Sequence, residues 1–436
     1  MPEMKNNFSR AKMNKDLDER LVPTGEYRNA MNIQVTTSDG SDVGTVQNIL
    51  GNTRIDNIIP AGGNPICVGS VTDEKNNSLY WFVKSDNIDY IVRHSLSAND
   101  LTTLVFVDTK ANTLNAVLKF PNKIITGINI IDNLLFWTDN ENEPRKINID
   151  RCIEGTVDEN THTKLIVDGI DYGDIEEENI TVVKKRPLET PVVKINIFNP
   201  EEEDTEDINP DYLFESKFIR FSTRYKYVDG EYSAFGPFTE NIFKAGKFSL
   251  PVDEAYNEGM MNRIKSIELQ DFVSPFIPKD VVQIDILYKE EGSNVVYSLA
   301  SIKNTDDDWN ATNHDVNVVT NYKGHYIVDH ENIYAAVPEN QVLRVWDNVP
   351  KKALAQEVTG NRIVYANYTQ NYDLDTSAQQ RPEITVDYKL RDEATLERGI
   401  NGLSGLPSIK SQRNYQLGVV YGDKYGRETP VFTSSN

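Results

Sequence analysis

The 436-residue chain is predicted to be all-β, and three observations predict it. Tyrosine, with 21 residues, outnumbers every other aromatic type, and Tyr, Val, Ile and Thr recur in short runs cut by Asn, Asp and Gly, a composition of strands and turns. Helical periodicity is scarce: residues 351–358 form the best helical window and residues 392–398 the next. A strand–turn–strand pattern around Trp81 returns 56 residues later around Trp137.

Length and charge bound the rest. A chain this long exceeds one core and implies two to four domains. With 45 basic and 67 acidic side chains the net charge is −22, which repels phosphate and argues against a nucleic-acid-reading role. The two cysteines, Cys67 and Cys152, form no disulfide framework and are expected to be free thiols. The first residues lack an apolar stretch, and no apolar run approaches the roughly 18 residues of a membrane helix, so a soluble protein made in the cytosol is expected.

Residues 1–55 read as an N-terminal docking segment followed by a hairpin. Asp16 and Glu19 have capping-box spacing for a short turn that starts near Leu17. Pro23 stops that turn and Gly25 reverses the chain. Ile33 and Val35 alternate with polar neighbours, residues 38–42 form a turn, and residues 43–49 return, which is a hairpin pattern. Within this stretch Met13, Asn14, Leu17, Arg20, Leu21, Pro23, Gly25, Glu26, Tyr27, Ala30 and Asn32 spell MN-x2-L-x2-RL-x-P-x-GEY-x2-A-x-N, followed by Val35, Gly40 and Gly51. This segment, about a tenth of the chain, resembles the opening of the tail nozzle, tubular or muzzle proteins of short-tailed bacteriophages (podoviruses), those of the crAss-like phages most closely.

That resemblance implies a virion structural protein made in the host cytoplasm and built into the tail. It implies a homo-oligomeric ring, a hexamer, with an adaptor ring and fibres or receptor-binding proteins as neighbours. Double-stranded DNA is then a passing cargo: the ring closes the channel before infection and opens for genome ejection. An acidic wall suits such a channel, because DNA slides past it without sticking. The segment at residues 13–52 is the expected assembly contact.

Residues 56–200 carry the repeat. Leu79, Tyr80 and Trp81 align without gaps with Leu135, Phe136 and Trp137, at positions expected to face a core, and Ile91 falls opposite Ile147. Each copy has an Asp- and Asn-rich turn, residues 84–89 and 139–144, and an apolar strand upstream, residues 66–71 and 125–131. A weaker copy without tryptophan, residues 361–365 preceded by residues 353–358, lies within residues 326–380. Short strands at such spacing mark β-propeller blades, which stack because one blade cannot bury both faces, and residues 135–139 resemble a YWTD-type blade. The expected architecture is therefore a β-propeller interrupted by an insertion.

Residues 201–325 are that insertion. Six of the seven residues 201–207 are acidic and read as a solvated linker, lacking the alternating ligands and glycine turn of a calcium loop. Ile219, Phe221, Thr223 and Tyr225 then fall on one strand face, Phe218, Arg220, Ser222 and Arg224 on the other, and Asp229-Gly230 turns the chain. Further strands at 264–269, 281–289 and 295–302, the last two joined by a turn at 290–294, complete an immunoglobulin- or fibronectin-like β-sandwich. Residues 381–436 repeat part of it: residues 414–433 give a strand with a tyrosine, a turn at 423–426 and a proline, with residues 383–390 as the one clear strand before them. This reads as a second, incomplete sandwich, completed by further chain or by another chain, because a half sandwich leaves an open edge.

The chemistry of a site is absent from the sequence. The five histidines form no His-Glu-x-x-His, there is no Cys-x-x-Cys, and residues 40–44 are not a Gly-x-Ser-x-Gly elbow. No catalytic residue, cofactor or metal is expected, and the aspartates at 306–308 read as a solvated turn. Two other function classes remain: an extracellular propeller adhesin for protein or glycan, disfavoured by the missing secretion signal and disulfides, and a polysaccharide-degrading enzyme, for which no acid–base pair is positioned.

Overall fold

The computed structural model describes residues 10, 12–35, 46–49, 51, 63–96, 101–197, 212–245, 250–257, 259–312, 321–331, 335–342, 349–360, 362–370, 372, 384–385, 387 and 412–433. The chain is all-β: the described residues hold 24 strands and only four short α-helices. They divide into two compact units, Met1–Asn57 and Ile58–Asn436. No sheet among them is closed.

In the first unit β1 (Lys12–Met13) pairs in parallel with β2 (Glu26–Tyr27), and β3 (Ile33–Val35) pairs antiparallel with β4 (Val46–Asn48). A 3-10 turn, Glu19–Leu21, lies between β1 and β2. Its cap is Asp18 and not Asp16: the Asp18 carboxylate accepts from the backbone N–H of Arg20 at 3.0 Å and from its guanidinium at 3.1 Å. A turn this short is capped by the residue directly before it.

The second unit opens with the antiparallel meander β5 (Ile66–Asp73), β6 (Ser78–Lys84), β7 (Asp89–Ser95) and β8 (Leu101–Asp108). A second meander follows: β9 (Gly127–Ile131), β10 (Leu134–Thr138) and β11 (Arg145–Asn148). Helix α1 (Ile149–Gly155), the hairpin β12 (Lys164–Val167) and β13 (Ile170–Asp174), and helix α2 (Glu177–Ile180) complete this half. All share one core, in which Phe82 stacks on Phe120 at 5.4 Å and meets Trp137 edge-on at 5.4 Å. Each such aromatic ring contributes about 2–3 kcal/mol by leaving water.

A stretch without secondary structure, residues 116–121, crosses this core, and its peptide groups need partners there. Two buried charges supply them. The Asp108 carboxylate accepts from the N–H groups of Val117 at 2.7 Å and Leu118 at 2.8 Å. The Arg145 guanidinium donates to the carbonyls of the same two residues, and to Glu177 at 3.0 Å. Asp108 and Arg145 are respectively 0% and 1% exposed.

A second core lies between two sheets. One orders β14 (Val192–Ile197), β16 (Ile264–Val273) and β19 (Lys323–Val328); the other orders β15 (Ile219–Tyr227), β17 (Val281–Glu290), β18 (Val296–Lys303) and β20 (Ala335–Ala336). Helix α3 (Asp307–Asn310) inserts Trp309 into it, with Asp307 and Asp308 left at the surface. Strand β15 is buried on both faces: Ile219, Phe221 and Tyr225 enter the core, while Ser222 and Arg224 lie under other cover. Arg224 is neutralised by Asp285 at 2.9 Å and stacks on Tyr232 at 4.0 Å.

The chain then returns. Residues 351–358 are not helical but form strand β21 (Lys352–Thr359), paired with β22 (Arg362–Thr369). Helix formers abound there, yet tertiary context overrides them: Ala353 is fully buried, its carbonyl accepts from Asn140 N–H at 2.9 Å, and Gln356 is buried too. Last come β23 (Gly418–Val419) and β24 (Phe432–Thr433), paired antiparallel. The acidic run 201–207, the helical window 392–398 and most of the strand expected at 383–390 lie outside the described residues.

Candidate assembly interface

The N-terminal motif closes on itself. Pro23 starts a turn in which Glu26 N–H donates to the Pro23 carbonyl at 3.0 Å, and Gly25 takes φ +96° at its third position, where a type II turn requires glycine. The reversal brings Met13 beside Tyr27 and Asn14 beside Glu26: the Asn14 amide donates to the Glu26 carboxylate at 3.1 Å, and Asn14 N–H to the Tyr27 carbonyl at 2.8 Å. Arg10 adds an ion pair to Glu26 at 3.6 Å. The polar motif residues thus hold the loop shut with their own side chains. The apolar ones do not fill a core: Met13 (45%), Leu17 (37%) and Leu21 (66%) are exposed, as is neighbouring Met31 (84%). Asn32 has φ +56°, a conformation that asparagine tolerates.

The repeat residues occupy β6 and β10. Their gapless alignment, however, pairs opposite faces. Tyr80 and Phe82 enter the main core from β6, whereas Leu135 and Trp137 enter it from β10. Leu79 is only half-buried, and Trp81 packs with Val83, Tyr90 and Val92 on the other side of its sheet. Phe136, aligned with core-facing Tyr80, is buried outside that core. Because side chains alternate along a strand, a one-residue slip turns every one of them over. Ile91 and Ile147, aligned by the same offset, both enter the core, paired across their hairpins with Phe82 and Leu135.

Between the two cores lies an ionic junction for which the sequence offered no signal beyond the Asp229-Gly230 turn. Lys146, 2% exposed, reaches Asp229 at 3.2 Å and Glu231 at 2.6 Å. Arg151 reaches Asp229 at 2.6 Å. Burial works against the Asp229 carboxylate, but Lys146 and Arg151 outweigh it and hold its pKa below the usual value. Deeper in, Lys184 pairs with Asp280 at 3.3 Å. Asp89 behaves oppositely: burial pushes its pKa up to about 6 despite N–H donors from Ser85 and Phe120.

Neither cysteine is disulfide-bonded; Cys67 is exposed, and burial pushes the Cys152 thiol up to about 12, so it stays protonated at neutral pH. Among the described residues no group of three His, Cys, Asp or Glu side chains could hold a metal ion, and no helix is long and apolar enough to cross a membrane. A family model described as Crassvirus muzzle protein matches residues 4–245, more than half of the chain, taking in the closed loop, both meanders and β15. No curated protein matches.

Proposed function

Because the chain belongs to the Crassvirus muzzle protein family, a component of the virion tail, we propose that it forms the ring closing the tail's DNA channel, holds neighbouring tail proteins and opens for genome ejection. The observation that carries this reading is the loop closed by Asn14, Glu26 and the Pro23 turn, which leaves Met13, Leu17 and Leu21 outward. Apolar side chains kept in water by a hydrogen-bonded loop are ready for a partner surface. The net charge of −22 supports a lumen that DNA does not adhere to.

The two meanders on one core support a propeller-type first half, and the two sheets of the second core support an immunoglobulin-like module inserted into it. The ribbon β23–β24 is in keeping with a second module of this kind. The ring is a hexamer in this reading, in contact with an adaptor ring and fibres. No catalytic chemistry enters it.

The test is a Leu17→Asp/Leu21→Asp double variant of the full chain, examined by mass photometry and by co-purification with the other tail proteins. Both side chains are exposed, so thermal stability is expected to hold while ring formation or neighbour binding falls at least tenfold. Wild-type assembly by the variant would sink the proposal.

A further inference from the structure

The turn that follows β15 and the turn between β23 and β24 are one structural motif, set 196 residues apart without a gap. In the first copy the Ser233 hydroxyl accepts from Tyr225 N–H at 2.9 Å, and Ser233 N–H donates to the Tyr225 carbonyl at 2.8 Å. Thr429 does both for Tyr421, at 3.1 and 3.0 Å. Tyr227 N–H reaches the Glu231 carbonyl and Gly230 N–H the Tyr227 carbonyl, both at 2.8 Å; Asp423 N–H reaches the Arg427 carbonyl at 3.0 Å and Gly426 N–H that of Asp423 at 2.9 Å. The two glycines share a left-handed backbone, φ +82° and +87°. The hydrogen bonds fix the register, with Tyr225 and not Tyr227 in the place of Tyr421.

Both copies dock on the same part of the first core. Glu231 meets Lys146 at 2.6 Å; Arg427, which stands in the place of Glu231, meets Glu143 at 2.8 Å. Lys146 and Arg427 are buried, 2% and 7% exposed. One motif position therefore carries opposite charges in its two copies, and the β10–β11 hairpin answers with opposite charges three residues apart. The preceding positions follow suit. Asp229 adds the Arg151 ion pair to the first dock, whereas its counterpart Tyr425 is buried against Val183 and Val349 at the second.

We propose that the β10–β11 hairpin is a two-berth receiver for this turn motif, and that the sign of charge at the residue after the motif's glycine selects the berth. An acidic turn seats at Lys146 and a basic one at Glu143, because the wrong pairing would bury two like charges in contact. The inference does not depend on how the chain assembles in the tail.

The test is amide exchange on the full chain. Glu143→Lys is expected to speed exchange at residues 427–429 at least tenfold and to leave residues 231–233 as in the wild type. The exchanged pair Glu143→Lys/Arg427→Glu is expected to restore protection to within about a factor of two. Unchanged exchange in Glu143→Lys, or a double variant as unprotected as the single one, overturns the proposal. Should Glu143→Lys disturb neighbouring Arg145 and loosen the core, Arg427→Glu alone is read instead: exchange at residues 427–429 at least tenfold faster is expected, and unchanged exchange overturns the proposal.

Discussion

Asp108 and Arg145 show how a single residue decides whether this chain can bury an irregular segment. Each of the two supplies what the peptide groups of Val117 and Leu118 lack, and neither has access to water. Asp108→Ala orphans the buried N–H groups of Val117 and Leu118, so a loss of about 3–5 kcal/mol is expected in chemical denaturation. Asp89 predicts a pH effect. Its folded pKa, about 6, lies above its unfolded value of 3.8, so the folded state binds the proton more tightly. Its contribution is greatest below pH 4 and declines as pH rises to about 6. Above that pH, ionised Asp89 costs on the order of 3 kcal/mol relative to its protonated form. Asp89→Asn should remove this slope from the stability-against-pH curve between pH 4 and 6; an unaltered slope counts against the assignment.

At the scale of elements, the chain was legible where periodicity and position agree and misleading where they part. The strands of both meanders except β8, the glycine turn at Asp229-Gly230 and the alternation of β15 are visible in the sequence, since alternation and turn chemistry are local properties. The stretch containing β21 reads as a helix by its Lys, Ala, Leu, Gln and Glu and as a strand by its place ahead of the weaker repeat copy; it is a strand, paired with adjacent β22 and held to distant Asn140 at Ala353. The faces of β6 and β10 were paired wrongly for the same reason: likeness of residues fixed the alignment, while the core fixed the phase. Gly127 marks where β21 comes close. A methyl group there would stand 2.5 Å from the Thr138 hydroxyl and 3.0 Å from the Gln356 backbone nitrogen. Gly127→Ala is therefore expected to cost roughly 2 kcal/mol or more and to raise amide exchange along β21 and β22. Equal protection in the variant would contradict that placement.

Across the whole second unit, two apolar cores meet through charge. The residues concerned, Lys146, Arg151, Asp229 and Glu231, carry no local signal, because a salt bridge between distant segments leaves no period or spacing to read. The closed N-terminal loop was legible as a motif, but the exposure of its leucines was not. Lys146→Ala takes the ammonium away from both Asp229 and Glu231, leaving Arg151 and the Asn148 amide to answer Asp229. It is expected to uncouple the cores, so that calorimetry of the variant resolves two transitions where the wild type gives one. A single transition in both proteins would mean that apolar contacts at Val228 and Val282 suffice for the coupling.

The paired turns also constrain the history of the sequence. Two segments bonded alike at a fixed interval are what an ancestral duplication would leave, with the residue after the glycine now acidic in one copy and basic in the other. Reversing the charge of Arg427 or of Glu143 alone puts like charges in contact, which is penalised. Related sequences should therefore exchange the two together or not at all, and Arg427 paired with a basic residue at position 143 is the combination that descent should have avoided.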